Sequence, residues 1–315
     1  MNVFITGAGL IGSHVAAEMV RRGHRAMLYE ISPREDFVRA VAGDTVSIVR
    51  GDIRDTPALL DAMRAHEADL VFHSAALIGA VAQERPFNGL SIALGGTIAV
   101  AEAARLNGVK RIVFASTTGV YDYSRNPTGF IDEDFPMGAD IFYSATKVSN
   151  EVILRSYAKH YGFEYAATRF AHVYGLGQYV GGSKGGEAVH TAVADTLAGG
   201  TVSIGRRLAD LQEYVYVKDV AQGVSHALER PLQSNAYNIG TGVVEGPEDL
   251  AAALGSLNPQ AKFEFQSPGP NDSPPVRETP FDLSRSRREL GYEPQYTLVA
   301  GIADFAKEIQ RISKG

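Results

Sequence analysis

Short apolar runs rich in β-branched residues alternate with longer amphipathic segments through the first half of the chain. The runs at 2–6, 25–30, 46–50, 70–73, 111–115 and 165–170 have strand length and composition. Between them, 11–22, 57–66, 88–106 and 143–161 repeat apolar residues at helical spacing. Strand and helix taken in turn predict an α/β protein, a parallel sheet doubly wound by right-handed crossovers. The pattern changes after Gly175. Residues 176–186 are glycine-rich and read as a loop, 214–228 as a strand followed by a helix, and 237–240 as a short strand. The proline-rich 267–280 stretch reads as an extended connector. Residues 1–175, with 212–240 returning to them, therefore form the larger unit, and 176–211 with 241–315 a smaller lobe interleaved with it.

Composition narrows the function classes. A chain of 315 residues, 45% apolar and 21% charged, is long enough for a large core and ordinary for a soluble enzyme. Its net charge of -6 advertises neither a nucleic-acid partner nor an anionic membrane. The lack of cysteine excludes disulfides, thiolate catalysis and cysteine-held metals. His160, His172, His190 and His226 show no ligand spacing, so no metal is expected. The sequence enters its first strand without a basic leader, and no unbroken apolar run reaches the ~18 residues of a membrane span. A cytoplasmic location is expected.

Thr6-Gly7-Ala8-Gly9-Leu10-Ile11-Gly12 lies between the first strand and the first helix. Gly7 permits a tight turn, Gly9 lets backbone approach a pyrophosphate, and Gly12 lets the helix pack closely. In this strand–loop–helix context the spacing predicts a Rossmann-type dinucleotide site, with phosphates on the helix N-terminus. Glu30 ends the second strand, where a carboxylate accepts the ribose hydroxyls of NAD and repels the 2′-phosphate of NADP. Asp52, after the third strand, is placed to meet the adenine or simply to cap a turn.

Tyr143 and Lys147 stand at i and i+4 of a predicted helix, on one face. Oxidation at a carbinol needs a group that takes the hydroxyl proton as hydride leaves the carbon. A free tyrosine, with a pKa of about 10, is too weak a base near neutrality. A neighbouring ammonium favours the phenolate.

The sequence resembles the extended short-chain dehydrogenase/reductase family, which contains nucleotide-sugar epimerases and dehydratases. The resemblance covers nearly the whole chain: the glycine loop, Gly51-Asp52, His73-Ser74-Ala75-Ala76, 113–121, the Tyr143/Lys147 pair, 169–175, 214–221, 238–240 and 284–294. It implies NAD as cofactor, held by Gly7, Gly9, Leu10, Ile11, Gly12, Glu30, Asp52, Ile53, Ser74, Ala75, Ala76, Ala115, Tyr143, Lys147, Phe170 and Ala171. It also implies Thr117, Tyr143 and Lys147 as catalytic residues. Ser116, Thr118 and His172 would face nicotinamide or substrate, with Tyr174, Lys184 and Arg277 as further pocket candidates. The family's habit of pairing the helices here at 88–106 and 143–161 implies a homodimer.

Five features depart from the family pattern. The glycine loop is one residue shorter than the usual form. His172, Gln212 and Pro270 replace an Asn and two Arg that serve a substrate diphosphate, although Lys184, Arg206, Arg207 and Arg277 offer replacements. Thr118-Gly119 stands where dehydratases carry an Asp-Glu pair, so elimination lacks its acid and base. These departures favour net hydride transfer with a small polar substrate such as a sugar acid, polyol or hydroxy acid. The alternative is a nucleotide-sugar 4-epimerase with tightly bound NAD. A non-catalytic NAD-binding module is a third reading, with no use for a proton acceptor.

Overall fold

A computed structural model describes residues 1–76, 84–177, 184–205, 208, 210–266 and 279–313. The first half runs β1 (Asn2–Thr6), α1 (Leu10–Arg21), β2 (Arg25–Glu30), α2 (Glu35–Ala42), β3 (Ser47–Arg50), α3 (Thr56–Ala65), β4 (Leu70–His73). It continues with α4 (Pro86–Leu106), β5 (Arg111–Thr117), α5 (Phe142–Tyr161) and β6 (Glu164–Phe170). Then follow β7 (His172–Tyr174), α6 (Lys184–Leu197), β8 (Thr201–Ile204), β9 (Tyr214–Tyr216), α7 (Val217–Glu229), β10 (Ala236–Ile239), α8 (Pro247–Gly255), β11 (Lys262–Phe265) and α9 (Leu298–Ser313).

Seven strands make one sheet in the order β10-β6-β5-β4-β1-β2-β3, and every pairing is parallel. This is the expected Rossmann-type α/β fold. Successive side chains of a strand enter opposite faces. Val3 and Ile5 of β1 join the core beneath α1 and α7, and Phe4 joins the core beneath α3 and α4. In β5, Val113 and Ala115 take the first face, and Ile112 and Phe114 the second. Burial on both faces explains why these strands read as continuous apolar runs. The chain moves outward from β1 to β3, then crosses back to β4 on the other side of β1. That reversal opens a crevice at the carboxyl ends of β1 and β4.

The smaller lobe has its own core of Tyr174, Val189, Val193, Val202, Ile204, Leu250, Leu254, Ile302 and Phe305. It contains a parallel β8–β11 pair, and the separate β7–β9 pair sends Tyr174, Tyr214 and Tyr216 into this core and Val215 into the core of the large sheet. The segment 281–292 was expected in this lobe. Its Phe281, Leu283, Leu290 and Tyr292 pack instead in the core beside α1 and α7.

The strand expected at 111–115 runs on to Thr117, and helix begins at Lys184 within the stretch expected to be loop. The part of that loop at 178–183, and 267–278 of the predicted connector, lie outside the described residues. Helix α4 is long and apolar enough to cross a membrane by length and composition, with a mean hydropathy of 1.3. Its Val100, Ala101, Ala103 and Ala104 are fully buried against the sheet, which is the behaviour of a core helix.

Candidate active site

The strand ends carry the site. Thr6 pairs in register with Tyr29 and His73, and Thr117 with Phe170, so these residues share the carboxyl edge of the sheet. His73 is buried and, desolvated by burial with the Lys147 charge adding to the effect, is lowered to a pKa of about 3. Its ring nitrogens meet Thr6 Oγ1 at 2.6 Å and Thr97 Oγ1 at 2.9 Å. Thr97 donates its hydroxyl to the Ala93 carbonyl, so it accepts from His73 Nε2, leaving Nδ1 to accept from Thr6. One tautomer thus locks the ends of β1 and β4 together.

The glycine loop is built as its spacing predicts. Gly7 has φ +91, in the left-handed region, and its N–H donates to the Tyr29 carbonyl at 2.9 Å. A Cβ at Gly12 would lie 1.9 Å from the Gly7 carbonyl oxygen, so only glycine lets the helix start this close. At Gly9 a Cβ would meet nothing within 4 Å, and no side chain caps α1 there. The open space and the uncapped helix end suit a pyrophosphate. Glu30 turns toward the loop, its two oxygens accepting from Ala8 N at 3.2 Å and Ser32 N at 3.1 Å. The residues therefore fit a dinucleotide with free ribose hydroxyls.

Other expected cofactor residues fall around this loop. Ser74 donates to the Thr6 carbonyl at 2.7 Å, and Ala75 N–H to Thr6 Oγ1 at 3.4 Å. Leu10 and Ile11 open α1, Ala76 follows Ala75, and Phe170 and Ala171 are buried at the end of β6. Ile53 is buried, directed into the core beside Gly96. Asp52 is taken up by Arg54, whose Nε lies 3.1 Å from both carboxylate oxygens, and that pairing holds the carboxyl below its usual range.

Tyr143 and Lys147 occupy successive turns of α5, as their spacing requires. The Lys147 ammonium is 4% exposed and donates to the Ala115 carbonyl at 2.6 Å. It lies 5.7 Å from the centre of the Tyr143 ring. Desolvation brings it down to about 8, while the Glu151 carboxylate works the other way. The Tyr143 hydroxyl hydrogen-bonds Thr117, the last residue of β5. In the protein alone, desolvation drives this phenol up to about 12 despite the Thr117 bond. The sequence led us to expect a phenol lowered by its lysine; in the protein alone burial instead holds it above its ordinary value.

The substrate candidates divide. Ser116 is 2% exposed and donates to Glu151 Oε1 at 2.5 Å, so its hydroxyl is committed inside the protein and not to a ligand. Tyr174 is likewise a core residue, 2% exposed and ringed by Tyr214 and Tyr216, which corrects its expected place in the pocket. Thr118 hydrogen-bonds the Tyr123 hydroxyl. A Cβ at Gly119 would lie 2.8 Å from Ser144 Oγ, so the place where a dehydratase carboxylate would stand is crowded. His172 is half-buried, edge-on to Tyr214, and lowered to about 4 by burial, hence neutral near pH 7. Arg206, Arg207, Pro270, Arg277 and the side chain of Lys184 lie outside the described residues.

One functional cluster was missed. Glu151, one turn beyond Lys147, forms a buried two-pronged ion pair with Arg169 of β6, at 3.1 and 2.7 Å. Arg169 also donates to the Tyr121 hydroxyl at 3.1 Å and the Glu133 carbonyl at 2.9 Å. The available signal was an arginine inside an otherwise apolar strand, which requires a buried partner.

A doubly wound parallel sheet, a glycine loop after its first strand and a Thr–Tyr–Lys set on the neighbouring strand and helix define an enzyme of the short-chain dehydrogenase/reductase superfamily. Residues 3–240 match the description "NAD dependent epimerase/dehydratase family", and the chain belongs to that family, with NAD as its cofactor. It is 32% identical over 310 residues to a UDP-glucose 4-epimerase of Mycolicibacterium smegmatis, covering 96% of both chains. It is 27% identical to the Bacillus subtilis UDP-glucose 4-epimerase, over 96% of this chain and 95% of that one. Among solved structures, the UDP-glucose 4-epimerase of Thermus thermophilus in complex with NAD matches with a TM-score of 0.84 and 27% identity, covering 98% of this chain and 99% of the other.

Proposed function

We propose that this protein is a nucleotide-sugar 4-epimerase that inverts C4 of a UDP-hexose and keeps NAD bound between turnovers. The carrying observation is similarity to a UDP-glucose 4-epimerase over 96% of both chains, with Thr117, Tyr143 and Lys147 intact. Net redox chemistry on a small polar substrate gives way to this reading as the leading one. We assign the smaller lobe to the sugar nucleotide, the location to the cytoplasm and the assembly to a homodimer.

Bound NAD supplies the acceptor that takes the C4 hydride and returns it. Tyr143 takes the C4 hydroxyl proton as the carbonyl forms and gives it back as the opposite face is reduced, so no redox equivalent is consumed. Thr117 holds the phenol and the reacting oxygen together, and the Lys147 charge favours the phenolate. Its hydrogen bond to the Ala115 carbonyl holds Lys147 in this position.

Incubation with UDP-glucose should yield UDP-galactose without accumulating NADH. Tyr143→Phe should reduce turnover by at least about 100-fold, the usual weight of general acid–base catalysis. Full activity in that variant would place the proton transfer elsewhere. One observation favours the second reading, net oxidation of a small polar substrate: neutral His172 and Gln212 present no fixed cation to a diphosphate. NADH formed in proportion to product would select it.

A further inference from the structure

Beyond β7 the chain runs back to the start of α1, beside the phosphate loop. Gly177 has φ +118, and a Cβ there would lie 2.3 Å from the Phe37 ring and 3.2 Å from Leu10 Cα. Its backbone is therefore pressed against the first residue of α1. The Gly177 carbonyl accepts a 2.9 Å hydrogen bond from Arg34 Nη2, and the Arg34 guanidinium stacks 4.6 Å from the centre of the Phe37 ring. Arg34 caps α2 four residues beyond Glu30, the ribose acceptor, while Leu10 follows Gly9, the place left open for phosphate. The contact thus joins the two ends of the path that the adenosine half of the dinucleotide follows.

We infer that Arg34, Phe37 and Gly177 form a clasp that retains bound NAD, with Arg34 and Phe37 acting as positioning residues for the strap at Gly177. When Gly177 lifts from Leu10, its charge-assisted hydrogen bond to Arg34 breaks and its packing on the Phe37 ring, which the guanidinium holds in place, is lost, so release is slow while they hold. Arg34 is therefore engaged by the protein and is not reserved for a 2′-phosphate. The clasp requires only NAD at the glycine loop and is independent of which sugar is epimerised, although a cofactor recycled in place is what it would serve.

The test uses the full-length protein loaded with NADH, diluted into NADH-free buffer, with loss of bound-nicotinamide fluorescence followed in time and no sugar present. Arg34→Ala and Phe37→Leu should each release NADH at least about tenfold faster than the parent. Arg34 is exposed, so Arg34→Ala should melt with the parent, which separates clasp loss from unfolding. Fast release in both variants supports the clasp. Parent-like release in either one overturns it, and acceleration in Arg34→Ala alone would mean that the guanidinium simply attracts the diphosphate. Because no sugar is present, failure of the epimerase reading leaves this result standing.

Discussion

At the residue scale, the proposed chemistry rests on a lysine that burial has made a weaker cation. With Lys147 brought down to about 8, its ammonium is present below that pH and lost as pH rises through it. Turnover should therefore fall along a one-proton limb near pH 8, as the charge that favours the Tyr143 phenolate is lost. A rate that stays flat to pH 10 would show that the Lys147 charge does no work. Gly7, Gly12, Tyr143 and Lys147 were legible because backbone and helix geometry demand those residue types at those spacings. The fate of Ser116 was not, since its partner Glu151 lies 35 positions away and no local pattern records it. Tyr174 was misplaced for a similar reason, because two aromatic rings from β9 enclose it.

At the scale of elements, β5, β6 and α5 are joined through Ser116, Glu151 and Arg169, next to the proposed catalytic residues. Glu151→Gln leaves the Arg169 charge buried without its partner and should cost about 3–5 kcal/mol, read as a lower denaturation midpoint. An unchanged midpoint would mean that Tyr121 and the Glu133 carbonyl suffice for Arg169. The central strands and the long helices were legible from their periodicity. Less visible was the π-type turn at Ser91–Gly95 within α4. There the Ala93 carbonyl accepts from Thr97 Oγ1 at 2.7 Å and Asn150 Nδ2 at 3.1 Å, tying α4 to α5 through side chains that no helical period singles out. The elements of the smaller lobe were hidden for another reason, as its strands are short and its glycines obscure the helix starts.

At the scale of the whole molecule, α4 and α5 present apolar residues outward on the face opposite the sheet. Ile98 and Leu106 on α4 and Val152 and Tyr161 on α5 are 43%, 50%, 41% and 56% exposed. The homodimer proposed above would cover them. Light scattering should then find a dimer, and Ile98→Asp should shift it toward monomer; a monomeric parent protein at micromolar concentration would refute the assignment. Of these two helices, α5 also carries Tyr143 and Lys147, so assembly would brace the proposed catalytic turn.

The central claim is that one hydride leaves C4 and returns to the same carbon. It is tested most directly with UDP-glucose carrying deuterium at C4 and the enzyme loaded with unlabelled NAD. The account predicts UDP-galactose with the deuterium still at C4. Deuterium found in free NADH, with an oxidised sugar as product, would contradict it.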